Sequence, residues 1–157
     1  MRKKTALERD LIAEVIRNVI DVEVKEHFDA LMQEHQLTSR ICGALEARFR
    51  EVTFGEYRVR VMLQEMPEKR PGTLEKKTGV DLYIGIDVDE GSTVSKGIFV
   101  QAKWKEDGRS ARDVKALVSQ AQEIDRGTHA GYVWLYGPDG VDVVPAKEVA
   151  INPRNTP

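Results

Sequence analysis

The sequence predicts a mixed α/β fold, in which helices cover the faces of a β-sheet. Three observations lead to this prediction. Apolar residues recur every three or four positions near the start of the chain, alternate with polar residues in its middle, and recur helically once more before two final apolar stretches. The predicted order of elements is therefore two helices, three strands, one helix and two strands.

The first predicted element is a long helix over residues 5–35, which no Pro or Gly interrupts. Its apolar stripe is wide, because a row of isoleucines runs beside a row of leucines and valines. Such a helix either packs on its own domain or presents its extra width to a second copy of the chain. A homodimer through this helix is thus one of two predictions that stay open.

The middle of the chain predicts a second helix and then a three-stranded meander. The helix is expected to begin at Thr38 or Ser39 as N-cap and to end near Arg50. Residues 56–66 (EYRVRVMLQEM) alternate as a strand with one wet face, and residues 67–79 form a charged loop with Pro and Gly. Residues 79–104 (GVDLYIGIDVDEGSTVSKGIFVQAKW) predict two antiparallel strands joined by a short turn.

The last third of the chain predicts one helix and two strands. Residues 109–127 have a helical apolar stripe, residues 130–137 (AGYVWLYG) indicate a central strand, and residues 141–146 (VDVVPA) indicate an edge strand. The tail at residues 151–157 is expected to be frayed. We interpret residues 1–157 as a single domain, because this length suits one core.

Composition limits the classes of function. The net charge is −2, so any contact with nucleic acid has to come from local positive charge. The single cysteine, Cys42, excludes an internal disulfide and a zinc site built on several thiolates, and it fits the reducing cytoplasm. No apolar run approaches the roughly 20 residues that span a bilayer, and no apolar region of a secretory signal follows the basic N-terminus, so we expect no membrane partner.

Polar residues occupy one end of the predicted hairpin. Gln101 and Lys103 project from the same face of their strand, roughly 6.6–7 Å apart, and the antiparallel pairing brings Asp81 beside them. A carboxylate, an amide or carbonyl oxygen and an ammonium are the parts of a magnesium-dependent phosphodiester site. In the simpler alternative, Asp81 caps a turn and Lys103 protects a sheet edge.

The same residues carry a resemblance to a known family. Asp81 in GVDLYIGI and Gln101-Ala102-Lys103 in FVQAKW resemble the motif of the PD-(D/E)xK nuclease superfamily, which has the restriction-endonuclease-like fold. The resemblance covers residues 38–146 as an αβββαβ core, to which the helix of residues 5–35 is an addition. It implies an endonuclease that hydrolyses DNA with Mg²⁺ or Mn²⁺. Asp81, Gln101 and the Ala102 carbonyl would hold the ion, and Lys103 would position the attacking water.

The resemblance also implies further site residues. Glu46 fits the glutamate that many members carry on the helix before the meander, and Glu75 in LEKKTGVDL resembles the acid of a branch with QAK on the next strand. Either would be a second metal ligand. Gln120 in SQAQEI matches a glutamine on the following helix of that branch.

The motif departs from the family pattern at two positions. Val80 replaces the proline, and Gln101 replaces an acid and so brings the ion no charge. A catalytically weak or inactive nuclease-fold module, which binds nucleic acid or a protein partner, therefore stays an alternative.

Positive and aromatic residues gather near the motif. They either form a solvated face or contact DNA phosphates. Trp104 would cover the site, stack on a base or simply pack. These residues are Arg58, Arg60, Lys76, Lys77, Trp104, Lys105, Arg109 and Arg112.

Overall fold

Six strands form one mixed sheet in the described part of the chain, which comprises residues 2–30, 33–66, 80–89, 93–105 and 111–151 of a computed structural model. The strands lie in chain order, and of the neighbouring pairs in this sheet only β4 and β5 run parallel to each other. Their bounds are β1 Val52–Phe54, β2 Tyr57–Glu65, β3 Leu82–Asp89, β4 Thr93–Trp104, β5 Gly131–Gly137 and β6 Gly140–Pro145.

Four helices in the described residues pack against this sheet. They are α1 Arg2–His27, α2 Glu34–Phe49, α3 Ala111–Gly127 and α4 Ala146–Ile151. The chain passes through α3 between β4 and β5, as a parallel pair requires a crossover. None of the described helices is long and apolar enough to cross a membrane. The mixed α/β class that the sequence predicts is confirmed.

The sheet has two faces with separate apolar clusters, because side chains alternate along each strand. The α2 face packs against α1 and α2, and the α3 face packs against α3 and α4. Buried strand residues of the α2 face include Val61, Leu82, Val100, Ala102 and Tyr136. Those of the α3 face include Val133, Leu135 and Val144, with the half-buried Phe99 beside them.

The hairpin and the edge strand agree with the sequence prediction. In the β3–β4 ladder Leu82 pairs with Val100 and Asp89 with Thr93, so the two strands are antiparallel. β6 pairs with β5 alone and is an edge of the sheet, as predicted. β4 lies between β3 and β5, so Lys103 stands on an interior strand rather than on an edge.

The boundary between the first two helices differs from the prediction. α1 ends at His27 and α2 begins at Glu34, five or six residues before the start that an N-cap at Thr38 or Ser39 predicts. The N-cap is Gln33, whose backbone N–H donates to Gln36 Oε1 at 3.0 Å. Thr38 is buried inside α2 instead of capping it. The prediction was wrong because no Pro or Gly marks the break and because glutamine is not one of the preferred N-cap residues.

Two short elements were not predicted. β1 has only 3 residues, too few to show a period of two. α4 starts directly after Pro145, and its Ala146 and Val149 are buried, so the chain is helical up to Ile151. On α1, Leu11 and Val22 are about half exposed, and the homodimer stays a prediction.

Asp21 of α1 fixes the β5–β6 turn. Its Oδ1 accepts a hydrogen bond from the Val141 backbone N–H at 2.9 Å. Gly140 has φ +121°, and a Cβ at this position would overlap the Asp21 carboxylate. The turn therefore requires glycine both for its backbone conformation and for the close approach of α1.

We expect Gly140→Ala to lower the free energy of unfolding by about 1–3 kcal/mol, since it strains the backbone and displaces Asp21. Gly43 is the matched control: it is a helical glycine of α2, and a Cβ added there would meet no described atom of another element within 4 Å. Gly43→Ala should raise the free energy of unfolding by about 0.4–1 kcal/mol. Urea unfolding of the three proteins measures both effects, and equal stabilities for the two variants would contradict this account.

Cys42 is buried in the cluster of the α2 face, and burial, with smaller contributions from Glu65 and Glu46, raises its pKa to about 12. We expect a disulfide reagent at pH 8 to label it only after unfolding. The unfolded thiol ionises near its ordinary pKa of about 8.5, so the wild type should lose stability, relative to Cys42→Ala, as the pH rises from there toward about 12. Urea unfolding at several pH values measures this difference, and a pH-independent difference would contradict it.

Candidate functional site

Asp81 joins three strands at the end of the hairpin. Its backbone N–H donates to the Val100 carbonyl at 2.9 Å, and its carbonyl accepts from the Met66 N–H at 2.8 Å. Its carboxylate Oδ2 accepts hydrogen bonds from the Ala102 N–H at 2.9 Å and from the Gln101 side-chain amide. The predicted meeting of Asp81 and Gln101 is therefore confirmed.

Gln101 is fully buried on the α3 face, with 0% of its surface exposed. Its Nε2 also donates to the Ala102 carbonyl at 3.2 Å, so that carbonyl already accepts a hydrogen bond. The side-chain carbonyl Oε1 has no hydrogen-bond partner among the described residues. An unpaired buried acceptor costs roughly 1–3 kcal/mol of stability. A hydrogen-bond donor or a cation that bound this oxygen would remove that cost.

Lys103 is held by a carboxylate that the sequence analysis missed. Its Nζ lies 3.0 Å from Glu34 Oε1, while Glu34 Oε2 accepts a hydrogen bond from the Trp104 backbone N–H at 3.1 Å. Glu34 stands in the first turn of α2, where the helix dipole favours a negative charge. An acid in the first turn of a helix is the signal that could have indicated Glu34. It was missed because residue 34 fell inside the predicted long helix.

Glu46, the predicted acid of α2, is exposed and lies three turns after Glu34, or about 18 Å along the helix. The carboxylate that α2 brings to Lys103 is therefore Glu34, and the structure does not bring Glu46 to this position. Glu75 lies outside the described residues.

A cavity of about 340 Å³ opens beside Lys103 and Glu34. Gln120 reaches it from α3, as its expected place on the helix implied, and its Oε1 is buried without a hydrogen-bond partner among the described residues. The cavity thus combines an ammonium, carboxylates and an amide. Its lining consists of Glu34, Lys103, Trp104, Asp113, Ala116, Leu117 and Gln120.

Trp104 packs between two other aromatic rings. Its ring centroid lies 5.5 Å from that of Phe28 and 5.8 Å from that of Tyr136, both in edge-to-face geometry. Tyr136 is buried, and its hydroxyl lies 3.0 Å from the hydroxyl of Thr38. Burial raises the Tyr136 pKa, a shift that the hydrogen bond with Thr38 opposes. The Thr38–Tyr136 contact therefore holds α2 against β5, and the ring of Phe28 packs on the strand end that carries Lys103.

The predicted nucleic-acid contacts that the structure describes lie on β2, at and just after the end of β4, and on α3. Arg58 and Arg60 are exposed on β2, and Arg58 Nε lies 3.6 Å from Glu51. Lys105 pairs with Asp142 at 2.7 Å, and Arg112 is exposed on α3. Lys76, Lys77 and Arg109 lie outside the described residues.

The oxygen atoms at the hairpin end are of the chemical type that binds a hard divalent cation. Among the described residues, no group of three or more His, Cys, Asp or Glu side chains has the spacing to hold a metal ion. The oxygen donors at the hairpin end are instead the Asp81 carboxylate and the unpartnered Oε1 of Gln101. Carboxylate and amide oxygens are ligands that Mg²⁺ accepts, with water completing its shell.

Comparisons of the chain with models of protein families, with curated protein sequences and with solved structures find no match.

Replacing the buried amide by an acid tests the local electrostatics. We expect Gln101→Glu to lower the free energy of unfolding at neutral pH by roughly 3 kcal/mol or more, because it buries a second carboxylate beside Asp81. The pKa of the introduced acid would rise above its unfolded value of about 4.3. The difference in unfolding free energy between Gln101→Glu and the wild type should therefore shrink as the pH falls toward that value.

The matched control is Gln64→Glu on β2, where the side chain is exposed. This variant should show almost no change in unfolding free energy at any of these pH values. A pH-independent penalty for Gln101→Glu in urea unfolding would argue against burial beside the Asp81 carboxylate.

Proposed function

We propose that this chain is a metal-dependent nuclease that hydrolyses DNA phosphodiester bonds and has the restriction-endonuclease-like fold that its sequence resembles. The observation that carries the proposal is the hydrogen-bonded contact of Asp81 with Gln101 at the hairpin end, with Lys103 two residues farther along the same strand. This is the arrangement expected for an acid, an amide and an amine that act on one phosphate.

Asp81 and the Oε1 of Gln101 are the residues that would hold Mg²⁺ or Mn²⁺ in this proposal. Such an ion lowers the pKa of a bound water and neutralises charge on the phosphate. The burial of Gln101 supports the assignment, since its unsatisfied acceptor would gain a partner. The Ala102 carbonyl, which accepts from Gln101, would serve only after that amide turns away.

Lys103 has the role of orienting the attacking water and stabilising the anionic phosphate. Its ammonium has three donors, of which one points to Glu34 Oε1 at 3.0 Å. Glu34 is in turn fixed by the hydrogen bond that its Oε2 accepts from the Trp104 N–H, so the ion pair fixes the position of the ammonium. Glu34 is therefore a positioning residue in this proposal, and Gln120, which lines the same cavity, would contact the site from α3.

One observation favours a second candidate, a nuclease-fold module that binds DNA without cutting it. The residue at the acidic position of the motif is an uncharged amide, and the ammonium of Lys103 is already paired with a carboxylate. Both features reduce the charge available for chemistry. In this alternative the cavity would still hold a phosphate group.

Cleavage of supercoiled plasmid with Mn²⁺ separates the two candidates. We expect wild-type protein to nick the plasmid. Lys103→Ala should cut roughly 10²- to 10³-fold more slowly, the usual effect of removing one hydrogen-bond donor to the transition state. Lys115→Ala, an exposed lysine of α3, is the matched control and should cut like the wild type.

Equal residual cutting by wild type and Lys103→Ala would indicate a contaminating nuclease and would exclude the enzymatic role. Retained DNA binding by both proteins without cutting would then select the binding module. Fluorescence anisotropy with a labelled oligonucleotide in EDTA measures that binding.

A further inference from the structure

The candidate site continues into an aromatic surface on the same face of the sheet. Tyr83 follows Asp81 by two residues, and Phe99 precedes Gln101 by two, so each of them stands on the same face as a site residue and roughly 6.6–7 Å from it along the strand backbone. Tyr83 and Phe99 are paired across β3 and β4, with ring centroids 5.2 Å apart. Both residues are half-buried.

Two glycines let the Tyr83 ring lie flat on the sheet. Gly85 and Gly97 face each other across the same two strands. A Cβ on Gly97 would overlap the Tyr83 ring, and a Cβ on Gly85 would lie 3.4 Å from its Cε1. The glycine pair therefore supports one face of the ring, and the opposite face of the ring points away from the sheet.

On the α3 face, the described side chains of β2 are exposed. α3 and α4 pack over β4, β5 and β6, whereas Arg58, Arg60, Met62 and Gln64 are exposed. Charge is balanced here, since Arg60 stands opposite Asp87 and Arg58 opposite Asp89. A neutral aromatic surface suits the flat face of a base better than a phosphate backbone.

We propose that Tyr83, supported by Phe99 and the glycine pair, is a stacking platform for an unpaired base of single-stranded DNA. In duplex DNA both faces of each base are covered by its neighbours, so only an unpaired nucleotide can present a free face. A base on Tyr83 would set the adjacent phosphate near Asp81 and Gln101. This inference rests on the proposed function for its substrate, and it adds a preference for unpaired nucleotides.

The test measures binding of labelled oligonucleotides in EDTA, so no cleavage is needed. Wild-type protein should bind a single strand more tightly than the duplex of the same sequence. Tyr83→Leu should weaken single-strand binding about 5- to 150-fold, the range for one base–aromatic stack, whereas Tyr83→Phe should stay within about threefold of the wild type. Because stacking is uncharged, the loss in Tyr83→Leu should change little with salt.

A matched control and a direct probe make the result specific. Tyr132→Leu removes an equally half-buried tyrosine from the α2 face and should leave single-strand binding unchanged. A strand with 2-aminopurine in place of one base should lose fluorescence on binding to the wild type and Tyr83→Phe, but not to Tyr83→Leu.

Three results would overturn the stacking proposal: no single-strand binding, no preference over duplex, or unchanged affinity and quenching in Tyr83→Leu. An altered oligomeric mass of Tyr83→Leu with unchanged DNA affinity would assign the surface to a second copy of the chain. The two proposals fail separately. Binding that depends on Tyr83, without cutting that depends on Lys103, would support the stacking platform and exclude the nuclease. Cutting that depends on Lys103, without binding that depends on Tyr83, would support the nuclease and exclude the platform.

Discussion

The sheet end at the candidate site depends on one carboxylate oxygen, Asp81 Oδ2. It accepts from the backbone of β4 at Ala102 and from the buried Gln101 amide, while the Asp81 backbone bonds to both Met66 and Val100. Loss of this carboxylate would leave two buried donors unpaired, each at a cost of roughly 1–3 kcal/mol. Asp81 is therefore needed for the fold whatever its chemistry, and loss of activity in an Asp81 variant would not by itself identify a metal ligand.

Buried polar atoms without a hydrogen-bond partner have different surroundings on the two faces of the sheet. Within the described part of the chain, Gln101 and Gln120 each leave a side-chain oxygen without a partner on the side of α3. Gln120 lines the cavity with other polar groups, and Gln101 contacts the Asp81 carboxylate. Among the same residues, Trp134 leaves its indole N–H without a partner inside the apolar cluster of the α2 face, and nothing in the structure explains that donor. The two glutamines support a functional site because their location, and not only their lack of a partner, suits a ligand.

The sequence was informative where a pattern is local and repetitive. Alternation predicted the β3–β4 hairpin, and its antiparallel pairing predicted that Asp81 and Gln101 would meet. It failed where structure depends on tertiary contacts. The break between α1 and α2 has no glycine or proline, and Thr38 is fixed by Tyr136, 98 residues away. Glu34 was missed as the partner of Lys103 because residue 34 fell inside the predicted long helix.

The same helix start explains why the partner of Lys103 was not predicted. The first two turns of α2 are attached to neighbouring parallel strands, through Glu34 to the end of β4 and through Thr38 to Tyr136 of β5. Burial raises the Tyr136 pKa, so its hydroxyl stays protonated and the contact with Thr38 is kept when exposed groups ionise. Since the crossover through α3 makes β4 and β5 parallel neighbours, the place of the lysine ammonium follows from the topology of the whole sheet. A motif of three residues on one strand cannot encode that topology.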